Sequence, residues 1–163
     1  MKNKRVIFLT QAAMIAAIYV VLTMVFAPLS FGEVQVRISE ALTILPFFTP
    51  AAIPGLFIGC LTGNILGGAI LPDIIFGSFA TLAGACVTYY LRNQKYLAPI
   101  GPIIANTLII PLILRYGYGI LLPIPILMIS VGIGEIISCG ILGMILLLAL
   151  NKYKHLIFTS HNR

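Results

Sequence analysis

The stretch VIFLTQAAMIAAIYVVLTMVFAPL, residues 6–29, decides what kind of protein this is. It carries no charge, and Lys2, Lys4 and Arg5 lie just before it. A bilayer core about 30 Å thick needs about 20 apolar helical residues per crossing, and this run is long enough. A basic start ahead of an apolar run is also how a signal peptide begins. The run is too long for a typical signal core, and more apolar segments follow, so it reads as a retained first span.

Five further apolar elements lie at about 38–49, 52–70, 74–91, 97–114 and 124–150. Across 163 residues, 60% are hydrophobic and 9% charged, against about 25% charged in an ordinary soluble domain. So few charges cannot cover a globule this apolar, and lipid is the expected solvent over most of its surface. All six elements read as helices, because an isolated strand leaves its backbone unpaired in lipid and no alternating ten-residue pattern announces a barrel. The expected fold is an all-α integral membrane protein of six transmembrane helices. Residues 1–150 form a single transmembrane domain and 151–163 a cytoplasmic tail.

The second element is short for a crossing, and Pro46, Pro50 and Pro54 interrupt the region. It could merge with the third into one kinked span. Basic residues decide between the two. With six spans and both termini cytoplasmic, Lys2, Lys4, Arg5, Arg92, Lys95, Lys152, Lys154 and Arg163 lie inside, and only Arg37 and Arg115 outside. Merging the two elements moves Arg92, Lys95 and the tail outside, against the positive-inside rule. The same scatter of basic residues over span ends argues against nucleic-acid binding, despite a net charge of +6.

Small residues mark where helices meet, because lipid supplies no hydrophobic drive for helix association. Gly55, Gly59, Gly63 and Gly67 form one ridge of the third element. Ala12, Ala16 and Ala13, Ala17 form two overlapping small-xxx-small pairs on the first. Either set can serve packing inside the bundle, and the alanines can alternatively dock a partner protein.

Polar groups within spans are functional suspects. In the six-span reading Glu40, Asn64, Asp73, Asn106 and Glu135 fall in the outer half or at the outer mouth, with Glu33, Arg37 and Arg115 in outer loops. This suits an acidic chamber opening outward, matched to a ligand that offers hydrogen-bond donors. Each residue also has a plainer reading. Glu33, Arg37 and Glu40 are spaced to form surface salt bridges on a helix. Asp73 follows Pro72 and could cap a helix. Asn64 and Asn106 could bond between helices. Glu135, among Ile133, Gly134, Ile136 and Ile137, must find a donor or stay protonated.

No catalytic or metal constellation emerges. There is no G-x-x-x-x-G-K-[ST] phosphate loop, so no ATPase is expected in this chain. Gly132-Ile133-Gly134 lacks the preceding strand of a dinucleotide fingerprint. Cys60, Cys86 and Cys139 are isolated in apolar runs and read as small buried residues. His155 and His161 lie in the tail, so neither a zinc site, a cofactor nor a nucleophilic triad is expected.

The segment VQVRISEALTILP, residues 34–46, resembles the signature of the QueT family, substrate-binding (S) components of energy-coupling-factor (ECF) transporters. The resemblance extends through 48–60, 73–80 and 131–135, and covers roughly 6–150. It implies a six-helix S component that binds a scarce nutrient at the outer face of the cell membrane. Its partners would be a transmembrane coupling subunit, docked on the Ala12/Ala16 and Ala13/Ala17 pairs, and two cytoplasmic ATPases. The implied cargo is queuosine or a 7-deazaguanine precursor. The chemistry is compatible with this. Glu135 could accept the neighbouring N–H donors of a guanine-like edge, and an aminomethyl group would offer a cation to Glu40 or Asp73. Asn64 and Asn106 could read ring polar atoms, and Tyr116 or Tyr118 could stack on the base. An S component for another vitamin, a stand-alone secondary carrier and a structural membrane subunit are the alternatives.

Overall fold

The computed structural model describes residues 2–30 and 36–157, with side chains over 4–28 and 36–153. Six helical elements make up the described fold, and no strand occurs among the described residues. Helix α1 spans Lys2–Val25, and a single turn, Ala27–Ser30, follows it. Helix α2, Ile38–Phe47, is wound as a 3₁₀-helix. Helix α3 spans Ala52–Leu66. Helix α4 opens with a π-wound segment, Asp73–Gly77, and continues as Ser78–Tyr90. Helix α5 spans Ile100–Tyr116. Helix α6 comprises Ile124–Glu135, a π-wound segment Ile136–Leu142, and Gly143–Ile157.

Packing runs α1 on α3, α3 on α4, α4 on α5 and α5 on α6, while α2 touches α1, α3, α4 and α6. So α2 is the central element. At about 2 Å rise per residue its ten residues reach roughly 20 Å, less than a bilayer core. Seven of them are buried, so its ends are sheltered by protein instead of lipid. A 3₁₀ run of this length is rare. Pro46 lacks an amide proton and its ring would collide with an α-helical carbonyl four residues back.

The shell is greasy and the interior polar. Leu9, Val21, Ile58, Phe79, Leu108, Ile129, Ile133 and Ile145 are exposed, whereas Thr23, Ser39, Thr43, Thr81, Thr88 and Ser138 are buried beside the four polar candidates Glu40, Asn64, Asn106 and Glu135. That inversion of the soluble pattern is what lipid as solvent demands. Two helices, Lys4–Val25 and Ile124–Tyr153, are long and apolar enough to cross a membrane.

The glycine ridge of α3 is an α1 contact. A Cβ on Gly55 would stand 2.7 Å from the Ala12 carbonyl oxygen, and one on Gly59 2.8 Å from the Tyr19 Cβ and 3.1 Å from the Ala16 Cα. Ala12 and Ala16 are therefore buried in the chain's own packing, while Ala13 and Ala17 face outward. On Gly63 a Cβ would meet only the Thr23 side chain, at 3.4 Å. Gly59→Ala is therefore expected to destabilise by about 1–3 kcal/mol through overpacking, and Gly63→Ala by far less. Thermal unfolding of the detergent-purified variants checks the contrast, and equal midpoints would refute it.

Candidate functional site

Helix α2 delivers the centre of the site, because all its neighbours are helices and its polar side chains must find partners among them. The Tyr19 hydroxyl, from α1, donates to Glu40 Oε1. Thr81 Oγ1, from α4, lies 3.0 Å from the same oxygen and 3.4 Å from Cys60 Sγ on α3; its one proton serves one of them at a time. The Glu40 carbonyl accepts from Thr43 Oγ1 at 2.6 Å and lies 3.3 Å from Cys139 Sγ, whose one proton serves either it or Glu135. Thr23 Oγ1 sits 2.9 Å from Ser39 Oγ and ties α1 to the first turn of α2.

Glu135 faces this group from α6. Asn106 Nδ2, on α5, donates to Glu135 Oε1 at 3.0 Å, and Cys139 Sγ approaches Glu135 Oε2 at 3.2 Å. Cys139 lies four residues after Glu135, one helical turn further on. Ligand atoms of Glu40, Glu135 and Cys139 all lie within 4.8 Å of one another, the one such cluster found among the described residues. Their spacing would also suit a small cation.

A second acid anchors the other end. Asp73 Oδ2 receives Arg37 Nη2 at 3.3 Å and the Tyr118 hydroxyl at 3.0 Å, and the Asp73 carbonyl receives Asn64 Nδ2 at 3.2 Å. Asn64 Nδ2 also lies 3.7 Å from Cys60 Sγ, so Cys60 and Thr81 join this end to Glu40. Burial and the adjoining Asp73 carboxylate push the Tyr118 phenol up from its ordinary pKa. Tyr118 thus keeps its proton and acts as a donor.

Both π-wound segments adjoin acids, one starting at Asp73 and the other directly after Glu135. Such segments occur often at functional sites, since the extra residue per turn re-aims side chains. At Gly77 a Cβ would stand 2.8 Å from Asp73 Oδ1 and 3.4 Å from Asn64 Nδ2. The bare backbone there leaves room for both side chains.

Four buried oxygens, Glu40 Oε2, Asp73 Oδ1, Thr107 Oγ1 and Ser138 Oγ, have no hydrogen-bond partner among the described residues. An orphaned buried acceptor costs about 1–3 kcal/mol. Two of the four belong to acids of the network, Glu40 and Asp73.

Of the residues singled out in the sequence, Arg37, Glu40, Asn64, Asp73, Asn106 and Glu135 are all buried and belong to this one network. Tyr116 does not. It is 77% exposed and lines an apolar surface groove with Pro72, Phe76, Phe79 and Leu112. Tyr118 reaches Asp73 instead, directly before Gly119, which adopts φ +71°. Asp73 makes no capping bond, so the cap reading fails. Arg37 reaches Asp73, and Glu40 is buried against Tyr19 and Thr81 instead of lying on a helix surface; Glu33 lies outside the described residues, as do His161 and the side chain of His155. The isolated cysteines are buried at Cys60 and Cys139 and exposed at Cys86, and the two buried ones bridge parts of the network. Sequence reasoning missed these, along with Tyr19, Thr43, Thr81 and Ser138. The four-residue step from Glu135 to Cys139 was the available signal.

An apolar helical shell around a buried acidic network is the make-up of a helical membrane protein. Residues 9–152 match the QueT transporter family model, and the chain belongs to that family. It is similar to the "Queuosine precursor transporter QueT" of Lactococcus lactis subsp. cremoris (strain MG1363), at 36% identity over 84 residues, which cover 50% of this chain and 49% of that protein. The aligned stretch thus spans about half the length of that relative. No solved structure matches the chain.

Proposed function

We propose that this protein is the substrate-binding subunit of an ECF-type importer, which captures queuosine or a 7-deazaguanine precursor at the outer face of the cell membrane. One observation carries the reading: Glu40, Asn64, Asp73, Asn106 and Glu135 join a single buried network that holds unpaired acceptor oxygens. A guanine-type edge presents adjacent N–H donors, which one carboxylate can accept together. The carboxylates of the network offer that acceptor, with Glu135 held by Asn106, while Asn64 and the Arg37–Asp73 pair bound the far end of the ligand. The relative's name points to the same cargo.

In this reading the chain crosses the membrane six times with both termini cytoplasmic. The short α2 is compatible with that, because protein instead of lipid surrounds it and shelters the backbone at its ends. The sequence has no phosphate loop, so energy comes from two ATPases through a transmembrane coupling subunit. With Ala12 and Ala16 committed to α3, the outward pair Ala13/Ala17 is the docking face on α1.

The experiment is titration of the purified, lipid-reconstituted protein with 7-deazaguanines and with a panel of vitamins. Saturable binding of a deazaguanine alone supports the proposal. Tight binding of a vitamin, with no deazaguanine bound, replaces it with an S component of other specificity. Uptake in cells that lack the ATPases, driven by an ion gradient, replaces it with a secondary carrier.

A further inference from the structure

The charge count of the core asks for something the chain does not supply. Arg37 is the one basic side chain buried among the described residues, and it lies against Asp73. Glu40 and Glu135 are buried as well, and the named donors to their carboxylates are neutral: Tyr19 and Thr81 for Glu40, Asn106 and Cys139 for Glu135. Glu40 Oε2 has no partner, and Ser138, beside Cys139, adds an unpaired hydroxyl on the same helical segment. One guanidinium cannot pair with three carboxyl groups, and a buried carboxylate that lacks a cationic partner is strongly unfavourable.

The geometry identifies the missing group. The ligand oxygens of Glu40 and Glu135 lie within 4.8 Å of each other. A nitrogen about 2.9 Å from each of two acceptors no further apart than that subtends up to roughly 110°, an angle two N–H bonds of one ammonium can span. We infer that Glu40 and Glu135, which face each other from α2 and α6, jointly bind one ammonium group of the transported molecule. The site therefore selects an amine-bearing ligand over its neutral counterpart. This rests on the substrate-binding reading above and adds a selectivity to it. It also assigns the cation to the Glu40–Glu135 pair and leaves Asp73 to Arg37.

Two ligands with the same ring separate the possibilities: 7-aminomethyl-7-deazaguanine, which is cationic, and 7-cyano-7-deazaguanine, which is neutral. Binding to the reconstituted wild-type protein is measured for each. The amine is expected to bind at least about tenfold tighter, as charge-assisted bonds to two carboxylates imply. Glu40→Gln should lower amine affinity much more than nitrile affinity, so that the ratio collapses. The wild-type comparison stands by itself if that variant fails to fold. Equal affinities overturn the inference and leave the substrate reading intact, whereas failure of both rings to bind overturns both. Zinc retained at one equivalent, lost in Cys139→Ser and blocking the amine, overturns the inference in favour of a metal at the same cluster.

Discussion

Arg37→Met is expected to destabilise the protein by about 3–5 kcal/mol, the range for removing one partner of a buried ion pair. The change leaves the Asp73 carboxylate in the core with Tyr118 as its remaining side-chain donor, and no water can reach a residue 1% exposed. The loss should appear as a lowered thermal midpoint of the purified protein. Removing both charges should be much milder. In Arg37→Met combined with Asp73→Asn, the amide still accepts from Tyr118, and the Asp73 main-chain carbonyl still holds Asn64. A double variant as unstable as Arg37→Met alone would show that Arg37 acts through some other contact. The same pair fixes the start of α2 against the π-wound start of α4, so Arg37→Met should also displace Glu40, three residues on, and weaken ligand binding.

Much of this arrangement could be read from the sequence, for a reason specific to lipid. In an apolar span every charged or amide side chain stands out, and each of Glu40, Asn64, Asn106 and Glu135 did. The helices were legible because their apolar runs end at polar or glycine-rich breaks: the runs 74–91 and 124–150 correspond closely to α4 and to α6. Hydroxyls were not legible. Thr23 and Ser78 bond the carbonyls four residues back on their own helices, so a threonine or serine in a span can be locally satisfied whichever way it faces. Thr81 and Ser138 could not be told from such residues until α4 and α6 were seen to face α2. The alanine pairs pose the same problem. Spacing gives two equivalent ridges on α1, and only the register against Gly55 and Gly59 shows that Ala12 and Ala16 face inward. Tyr116 closes α5 and Tyr118 lies past its Gly117 cap, and no periodicity reports on which of them turns inward. The 3₁₀ winding of α2 is likewise a product of its enclosure by four helices, with Pro46 as the one local hint.

Glu135→Gln should lower deazaguanine affinity about 10- to 100-fold and leave the fold intact. The two halves of this expectation follow from different atoms. Gln can present its carbonyl to Asn106 Nδ2 as Glu135 Oε1 does at 3.0 Å, so the α5–α6 contact survives. Its amide then faces Cys139, whose thiol still has the Glu40 carbonyl to bond, 3.3 Å away. No buried charge is stranded, and unfolding midpoints of variant and wild type should agree closely. For the ligand the exchange is adverse on both counts. The amide offers donors to a ligand group that also presents donors, and a charge-assisted bond worth about 1.5–3 kcal/mol is lost, which at about 1.4 kcal/mol per decade gives the stated range. Asn106→Ala probes the same bond from the other side. It strips Glu135 of its orienting donor without removing charge, so its effect on affinity should be smaller than that of Glu135→Gln. Titration of both variants with one deazaguanine checks the order. A reversed order would mean that Asn106 contacts the ligand itself and Glu135 serves to hold it.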